Sequence, residues 1–159
     1  MKLQGKVAVV AGASRGIALA FARDGSDVAC IATSEANAKD VAEPVSGLVR
    51  KSLALGCRVE DVPQVWANFG RVEKELGAID ILVDNAGIAK PKPILEVEEG
   101  QWDAQIAVNM KSVLFCAEAA AKQLIAAGRG GCIINVGSGW GSVASSGRIG
   151  YSATKAAVH

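Results

Sequence analysis

A tyrosine and a lysine stand four residues apart near the end of the 159-residue sequence, as Tyr151 and Lys155 in YSATK. Residues four apart on a helix share one face, so the two side chains are predicted to lie together. A free tyrosine loses its proton only at a pH of about 10, and a neighbouring ammonium makes the phenolate easier to form. The pair could therefore donate a proton to a substrate, with Ser138 placed to bond a substrate oxygen. The same spacing also occurs by chance on exposed helices. It indicates a catalytic pair only when it follows a five-strand α/β pattern, as it does here.

A glycine-containing turn, GASRGI, follows the first apolar run of the chain. Glycines permit a tight turn and a close backbone approach, and a following helix offers free N–H groups to phosphate. Arg15 could meet an additional phosphate there, or be a solvated surface arginine. A purely structural turn is the other interpretation of the glycines. The candidate cofactor-binding residues of this turn are Gly12, Ser14, Arg15, Gly16 and Ile17.

Two further candidate sites follow later apolar runs. Thr33 and Ser34 stand where NAD-specific sites usually carry an acid for the ribose 2′-hydroxyl, which leaves room for a 2′-phosphate. Either residue could instead be the N-cap of the next helix, and Ser34 could do both. Asn85, Ala86 and Gly87 follow the fourth run and by themselves form an ordinary turn sequence.

The elements that must position these residues alternate along the chain. Nearly continuous apolar runs predict strands covered on both faces at 6–11, 27–32, 52–57, 79–84 and 132–137. Helices are predicted at 16–24, 35–43, 62–76 and 101–127, with a last one from near Gly150. Pro44 is expected to end the second helix. This alternation predicts an α/β fold with a doubly wound parallel sheet, whose ligands bind at the carboxyl ends of the strands.

The apolar spacing of the long helix at 101–127 predicts which of its faces is buried. The residues that recur at helical spacing are Trp102, Ile106, Val113, Ala117, Ala120 and Leu124.

Composition narrows the class of protein. Half of the residues are hydrophobic and the formal net charge is +1, which gives no reason to expect nucleic acid or an anionic membrane as partner. No run of about 18 apolar residues and no secretory signal is present, so we expect a single soluble domain in the cytoplasm. The four cysteines are widely spaced and are interpreted as buried thiols in a reducing compartment, with no metal site.

Taken together, these stretches resemble the short-chain dehydrogenase/reductase family, and most closely its 3-oxoacyl-(acyl carrier protein) reductase branch. The resemblance rests on GKVAVVAGASRGI, IATSEANA, IDILVDNAGI, VNMKSV, IINVGS and YSATKAA, in that order. It implies a Rossmann fold that binds NADP(H), with NAD(H) the less favoured alternative. It also implies a role in fatty acid biosynthesis, a small or acyl-carrier-linked carbonyl substrate and, where the fold is complete, a homo-oligomer.

The resemblance also assigns roles to residues. Tyr151 would be the proton donor in carbonyl reduction, and Lys155 would stabilise its phenolate and hold the nicotinamide ribose. Ser138 would polarise the substrate carbonyl and Asn109 would support a water-linked proton relay. Arg15 and the Thr33–Ser34 pair would favour NADPH, and the remaining cofactor contacts would come from the glycine turn and from Asn85, Ala86 and Gly87.

The chain departs from the family pattern at several places. Ala18 stands for the third glycine of the turn, and the first helix is one turn short, so residues 24–27 are expected to stretch. Arg58 stands where an acid usually holds the adenine amine, and Asp84 replaces an asparagine. Because the sequence stops at His159, we expect the usual C-terminal strands and substrate loop to be missing and the strand at 132–137 to be an open sheet edge. A non-catalytic or partner-dependent relative is the alternative function.

Overall fold

Five parallel strands form the centre of the computed structural model, which describes residues 1–13, 15–48, 50–143 and 145–159 but not the side chain of Arg15. The strands are β1 Val7–Ala11, β2 Asp27–Ala32, β3 Ser52–Gly56, β4 Ile81–Asp84 and β5 Cys132–Asn135. The helices are α1 Arg15–Arg23, α2 Glu35–Ser46, α3 Val62–Glu75, α4 Glu99–Ile106, α5 Ser112–Ala126 and α6 Ile149–Val158. Within the described residues the strand order is β3-β2-β1-β4-β5. All five predicted strands are present; β2 has the predicted bounds, and the other four are shorter than predicted.

Helices cover both faces of the sheet, which confirms the doubly wound α/β architecture. On one face, alternate strand residues such as Val9 and Ile31 pack with Phe69 of α3 and Cys116 of α5. On the other face, the intervening residues pack against α1 and α2. Because side chains alternate between the faces of a strand, the continuous apolar runs supply both cores at once. No helix within the described ranges is long and apolar enough to cross a membrane.

The second helix does not end at Pro44, contrary to the prediction, but continues to Ser46. Proline lacks an N–H, so it costs the helix the single hydrogen bond that would reach Asp40. Val45 is fully buried in the core and the N–H of Gly47 donates to the carbonyl of Glu43. These contacts hold the last turn in place in spite of the proline.

The short first helix is accommodated without the expected stretching of residues 24–27. The N–H groups of Asp24, Gly25 and Ser26 each donate to a carbonyl of the last turns of α1. Gly25 has a φ of +106°, which favours glycine, and a Cβ there would lie 3.0 Å from the Cα of Gln4. A tight helix-ending turn therefore leads directly into β2.

The predicted helix at 101–127 is instead α4 and α5 joined by a π-helical segment, Ala107–Lys111. Most of the predicted apolar stripe is half-buried, with Ala120 fully buried. The more deeply buried stripe includes polar residues, and its members are Gln105, Asn109, Ser112, Cys116, Ala119, Ala120 and Gln123. The prediction chose a different face because it counted apolar residues only, whereas the side chains of Gln105, Asn109, Ser112 and Gln123 each donate a hydrogen bond inside the fold.

Among the described residues, β5 is an open edge that pairs with β4 alone, as the sequence predicts. Its four residues are all exposed, with Ile133 and Ile134 exposed by 37% and 40%. Cys132 lies on this edge, so the prediction that all four cysteines are buried is wrong for this residue. Cys30 and Cys57 are buried, and burial raises the pKa of both thiols to about 11.

Candidate functional site

The turn after β1 is tied to the end of β4. The side-chain amide of Asn85 donates to the carbonyl of Gly12 at 2.7 Å, and the N–H of Asn85 donates to the carbonyl of Ala11. The N–H of Ala13 donates to the carbonyl of Ile31 on β2. The predicted residues at the ends of β1 and β4 therefore form one connected structure, which the sequence alone did not show.

Glycine is required at position 12 and leaves open space at position 16. Gly12 has a φ of +64°, and a Cβ there would lie 2.4 Å from the Cα of Ala86. A Cβ on Gly16 would meet no atom of the described residues within 4 Å, so the first turn of α1 has room for a bound group. Ser14 and the side chain of Arg15 lie outside the described residues, so their predicted contacts stay predictions.

The residues that follow Gly16 pack into the core. Ile17 packs against the cluster beneath α1 and α2. Ala18, which replaces the usual third glycine, is completely buried in that cluster. Its methyl group therefore fits between helix and sheet, and the substitution does not prevent α1 from packing.

A cavity of about 380 Å³ lies at the carboxyl ends of the central strands. Gly12 and Ile31 line it from β1 and β2, and Ala86 and Gly87 line it from the loop after β4. Its size and mostly apolar lining suit an adenosine group.

Thr33 and Ser34 both lie at this end of β2, and each bonds to Asn37. The hydroxyl of Ser34 accepts the backbone N–H of Asn37 at 3.2 Å, so Ser34 is the N-cap of α2. The side-chain amide of Asn37 donates to the Thr33 hydroxyl at 3.3 Å. Thr33 lines the cavity, and Asn37 is a polar group beside it that sequence reasoning missed.

Arg58 and the acids near it have different partners. The guanidinium of Arg58 forms an ion pair with Glu60, with Nη2 and Oε1 2.8 Å apart, and both residues line the cavity. Asp61 caps α3 by accepting the backbone and side-chain N–H groups of Gln64. Glu60 is therefore the carboxylate that lines the cavity, where it is paired with Arg58, whereas Asp61 accepts hydrogen bonds in the helix cap.

A second cleft, of about 400 Å³, contains the predicted catalytic residues Ser138, Tyr151 and Lys155. Asn85 and Gly87 line it as well, and Gly87 is shared with the first cavity. The structure thus brings together three of the four predicted catalytic residues and part of the predicted cofactor site. The two cavities adjoin along the loop after β4.

Lys155 is buried below the tyrosine. Its ammonium donates to the carbonyl of Val136 at 2.6 Å and lies 5.9 Å from the centroid of the Tyr151 ring. Gly87 lies close to this ammonium, since a Cβ on Gly87 would be 3.9 Å from it, and both residues line the cleft. Lys155 is thus fixed at the carboxyl end of β5 beside Tyr151.

Asn109 lies behind this cleft, in the π-helical segment, and is completely buried. Its side-chain amide donates to the carbonyl of Ile88 at 2.8 Å and to the hydroxyl of Thr154 at 3.1 Å. Its side-chain oxygen accepts the N–H of Ile88 at 2.8 Å. Asn109 therefore joins the loop after β4 to α6, a contact that the relay prediction did not include.

Ser138 is oriented by the short helical turn that follows it. Its hydroxyl oxygen accepts the N–H of Trp140 at 3.2 Å, which leaves the hydroxyl hydrogen to donate to a ligand. His159, to which sequence reasoning assigned no role, places its ring Nε2 3.4 Å from the N–H of Ser138.

Asp84 is buried directly behind the loop of Asn85. Its side chain contacts the thiol of Cys116, and its Oδ2 has no hydrogen-bond partner among the described residues. Burial raises the pKa of Asp84 to about 7, and the Cys116 contact lowers it by a smaller amount. Burial likewise raises the pKa of the Cys116 thiol.

Residues 6–159 match the family described as short chain dehydrogenase. The chain belongs to the short-chain dehydrogenase family. The resemblance of its motifs is thereby confirmed, and the fold and the grouping of Ser138, Tyr151 and Lys155 agree with it.

Relatives in this family carry different substrate names. A 2-dehydro-3-deoxy-D-gluconate 5-dehydrogenase of Escherichia coli K12 is 41% identical over 140 residues, which cover 86% of this chain and 54% of the relative. A 3-oxoacyl-(acyl-carrier-protein) reductase of Staphylococcus aureus N315 is 38% identical over 158 residues, which cover 96% of this chain and 64% of the relative. This chain thus spans between about half and two thirds of these relatives.

One similar solved structure contains a cofactor. The gluconate 5-dehydrogenase of Burkholderia cenocepacia, in complex with NADP and tartrate, superimposes with a TM-score of 0.89 at 33% identity. The match covers 99% of this chain and 63% of that one.

The residues of this chain fit a nicotinamide dinucleotide of the kind that the family binds. Gly12 lines the first cavity, which reaches Arg58 just after β3 and shares Gly87 with the cleft of Tyr151. Thr33 would lie at the adenosine end, and Asn85 and Lys155 at the nicotinamide end.

Proposed function

We propose that this site reduces a carbonyl to an alcohol with NADPH as the hydride source, acting on a 3-oxoacyl thioester or a similar ketone. The observation that carries the proposal is the cleft shared by Ser138, Tyr151 and Lys155, which adjoins the cavity lined by Gly12 along the loop after β4. A proton donor, a carbonyl-binding hydroxyl and a fixed ammonium at one point are the groups that carbonyl reduction needs.

In this mechanism Ser138 and Tyr151 act on the carbonyl oxygen of the substrate, and Lys155 acts on Tyr151. The Ser138 hydroxyl donates a hydrogen bond to the substrate carbonyl oxygen and so polarises it. Tyr151 transfers its phenolic proton to the same oxygen as negative charge develops there, and the Lys155 ammonium stabilises the phenolate that remains. The reduced nicotinamide, when bound, supplies the hydride to the carbonyl carbon.

The preference for NADPH is part of the proposal. The end of β2 carries the neutral Thr33 and Ser34, with the Asn37 amide beside them, where a 2′-phosphate needs donors rather than a carboxylate. Arg15 is proposed as the cation for this phosphate. The NADP complex of the Burkholderia cenocepacia relative supports the same preference.

The proposal is tested with Tyr151→Phe, which removes one hydroxyl. We expect the rate of acetoacetyl-coenzyme A reduction to fall by a factor of about 100 or more, because the proton donor is lost. The affinity for NADPH should change little in this variant. Fluorescence titration measures it, and a parallel titration with NADH gives the cofactor preference. Ala157→Ser, on the exposed side of the same helix and outside the cavities beside Trp140, is the control.

An undiminished rate in Tyr151→Phe would rule out this mechanism. Binding of NADPH by the parent chain without reduction of any carbonyl would favour the alternative, a non-catalytic or partner-dependent relative.

A further inference from the structure

We propose that Arg148 determines substrate specificity by binding a carboxylate of the substrate, so that the carbonyl compound taken at this site is a keto acid. This inference rests on the proposed function, because it takes Ser138 and Tyr151 as the groups that hold the reacting carbonyl. Of the two substrate types in the proposed function, it selects the ketones that carry a carboxylate near the carbonyl over the 3-oxoacyl thioesters.

The position of Arg148 is the first observation. It directly precedes α6 and lies three residues before Tyr151, which corresponds to a rise of about 5 Å along the helix. Its side chain is half-buried and lines the same cleft of about 400 Å³ as Ser138 and Tyr151. A carboxylate bound at Arg148 would therefore be separated from a carbonyl at Tyr151 by a few carbon atoms.

The contact of the guanidinium with Trp140 is the second observation. Its central carbon lies 5.6 Å from the centroid of the Trp140 ring, within the range of a cation–π contact. Trp140 belongs to the same short turn that orients the Ser138 hydroxyl. A guanidinium in contact with one aromatic ring can still offer N–H groups for a bidentate contact with a carboxylate.

The charge of the cleft is the third observation. Its described lining residues include two cations, Arg148 and Lys155, and no carboxylate. Lys155 already donates to a backbone carbonyl. Arg58, Arg71 and Arg129 each form an ion pair, whereas no described carboxylate pairs with Arg148. A half-buried cation without a counter-charge attracts an anionic ligand, and the volume admits a small one.

The test uses the full chain with Trp66→Phe and Trp102→Phe, so that Trp140 is the remaining indole. It is titrated with 4-oxopentanoate and with its methyl ester, with and without NADPH. We expect a saturable change in Trp140 emission and an affinity for the acid about tenfold or more above that for the ester. Saturation-transfer NMR repeats the comparison on the unsubstituted chain, which needs no variant to fold.

Substitutions then assign the preference to one side chain. Arg148→Gln should remove the difference between acid and ester, and Arg148→Lys should keep part of it. Arg71→Gln, a surface arginine paired with Glu75 on α3, should keep all of it. Added salt should weaken binding of the acid and not of the ester.

Equal affinities of the parent chain for acid and ester, or an unchanged preference in Arg148→Gln, would overturn the assignment of Arg148. NADPH binding is measured on the same samples. A chain that selects the acid but binds no NADPH contradicts the proposed function and supports the Arg148 site. A chain that binds NADPH but does not select the acid contradicts the Arg148 site alone.

Discussion

At the scale of single residues, the Asp84 carboxyl near the site is buried with an oxygen that lacks a hydrogen-bond partner among the described residues. It replaces the asparagine usual in this family, it is 4% exposed, and its Oδ2 has no partner within the described chain. Burial favours the neutral form of a carboxyl, which is why its pKa is raised from 3.8 to about 7. The residue therefore makes stability depend on pH.

Asp84→Asn is expected to stabilise the fold at pH 8 and to have little effect at pH 4. The raised pKa means that the folded state binds the Asp84 proton more tightly than the unfolded state, so stability falls as pH rises from about 4 to about 7. Asparagine removes this loss, by an amount on the order of a few kcal/mol. Urea unfolding of both proteins across this pH range measures the difference.

Asp103→Asn on the exposed surface of α4 is the control for the pH series. If parent and Asp84→Asn showed parallel stability curves, Asp84 would not titrate between the two pH values.

At the scale of elements, the π-helical segment between α4 and α5 decides where the long helix meets the site. It places Asn109 against the loop of Ile88 and against Thr154 of α6 through three hydrogen bonds. π-helical turns are frequent at functional sites, and here the segment connects two elements that carry site residues.

Asn109→Ala is expected to lower the free energy of unfolding by about 2–4 kcal/mol. The substitution removes three hydrogen bonds and leaves the backbone N–H and carbonyl of the half-buried Ile88 without their partner. Met110→Ala, an exposed neighbour in the same segment, should have little effect. Denaturant unfolding measures the free energy of unfolding of both variants. If both lost the same amount, the hydrogen bonds of Asn109 would not be what stabilises the segment.

At the scale of the whole molecule, the two edges of the sheet are unequal. Helix α2 packs against β3, whereas the residues of β5 are all exposed and, in the described sheet, pair with β4 alone. The N–H groups of Cys132 and Val136 donate toward β4, so by alternation those of Ile133 and Asn135 point outward.

Hydrogen exchange is expected to follow this asymmetry. The amides of Ile133 and Asn135 should exchange fastest in the sheet, and those of Val9 and Val10 in β1 slowest, because β1 is paired on both sides. Residue-resolved exchange by NMR measures this order. Strong protection at Ile133 and Asn135 would show instead that a second chain covers the edge in solution.

The sequence by itself determined the order of strands and helices and the chemistry at the strand ends. Periodicity, turn residues and the YxxxK spacing are short-range signals, so Gly12, Asn85 and Ser138 could be placed at carboxyl ends of strands without a structure.

Tertiary structure decided the features that depend on residues far apart in sequence. Pro44 stays helical because Val45 is anchored in the core, and Asp84 is perturbed because other elements bury it. Gln123 is buried because its side chain donates to the carbonyl of Phe69 on α3. These outcomes follow from long-range packing and hydrogen bonding, which a local pattern of residue types does not contain.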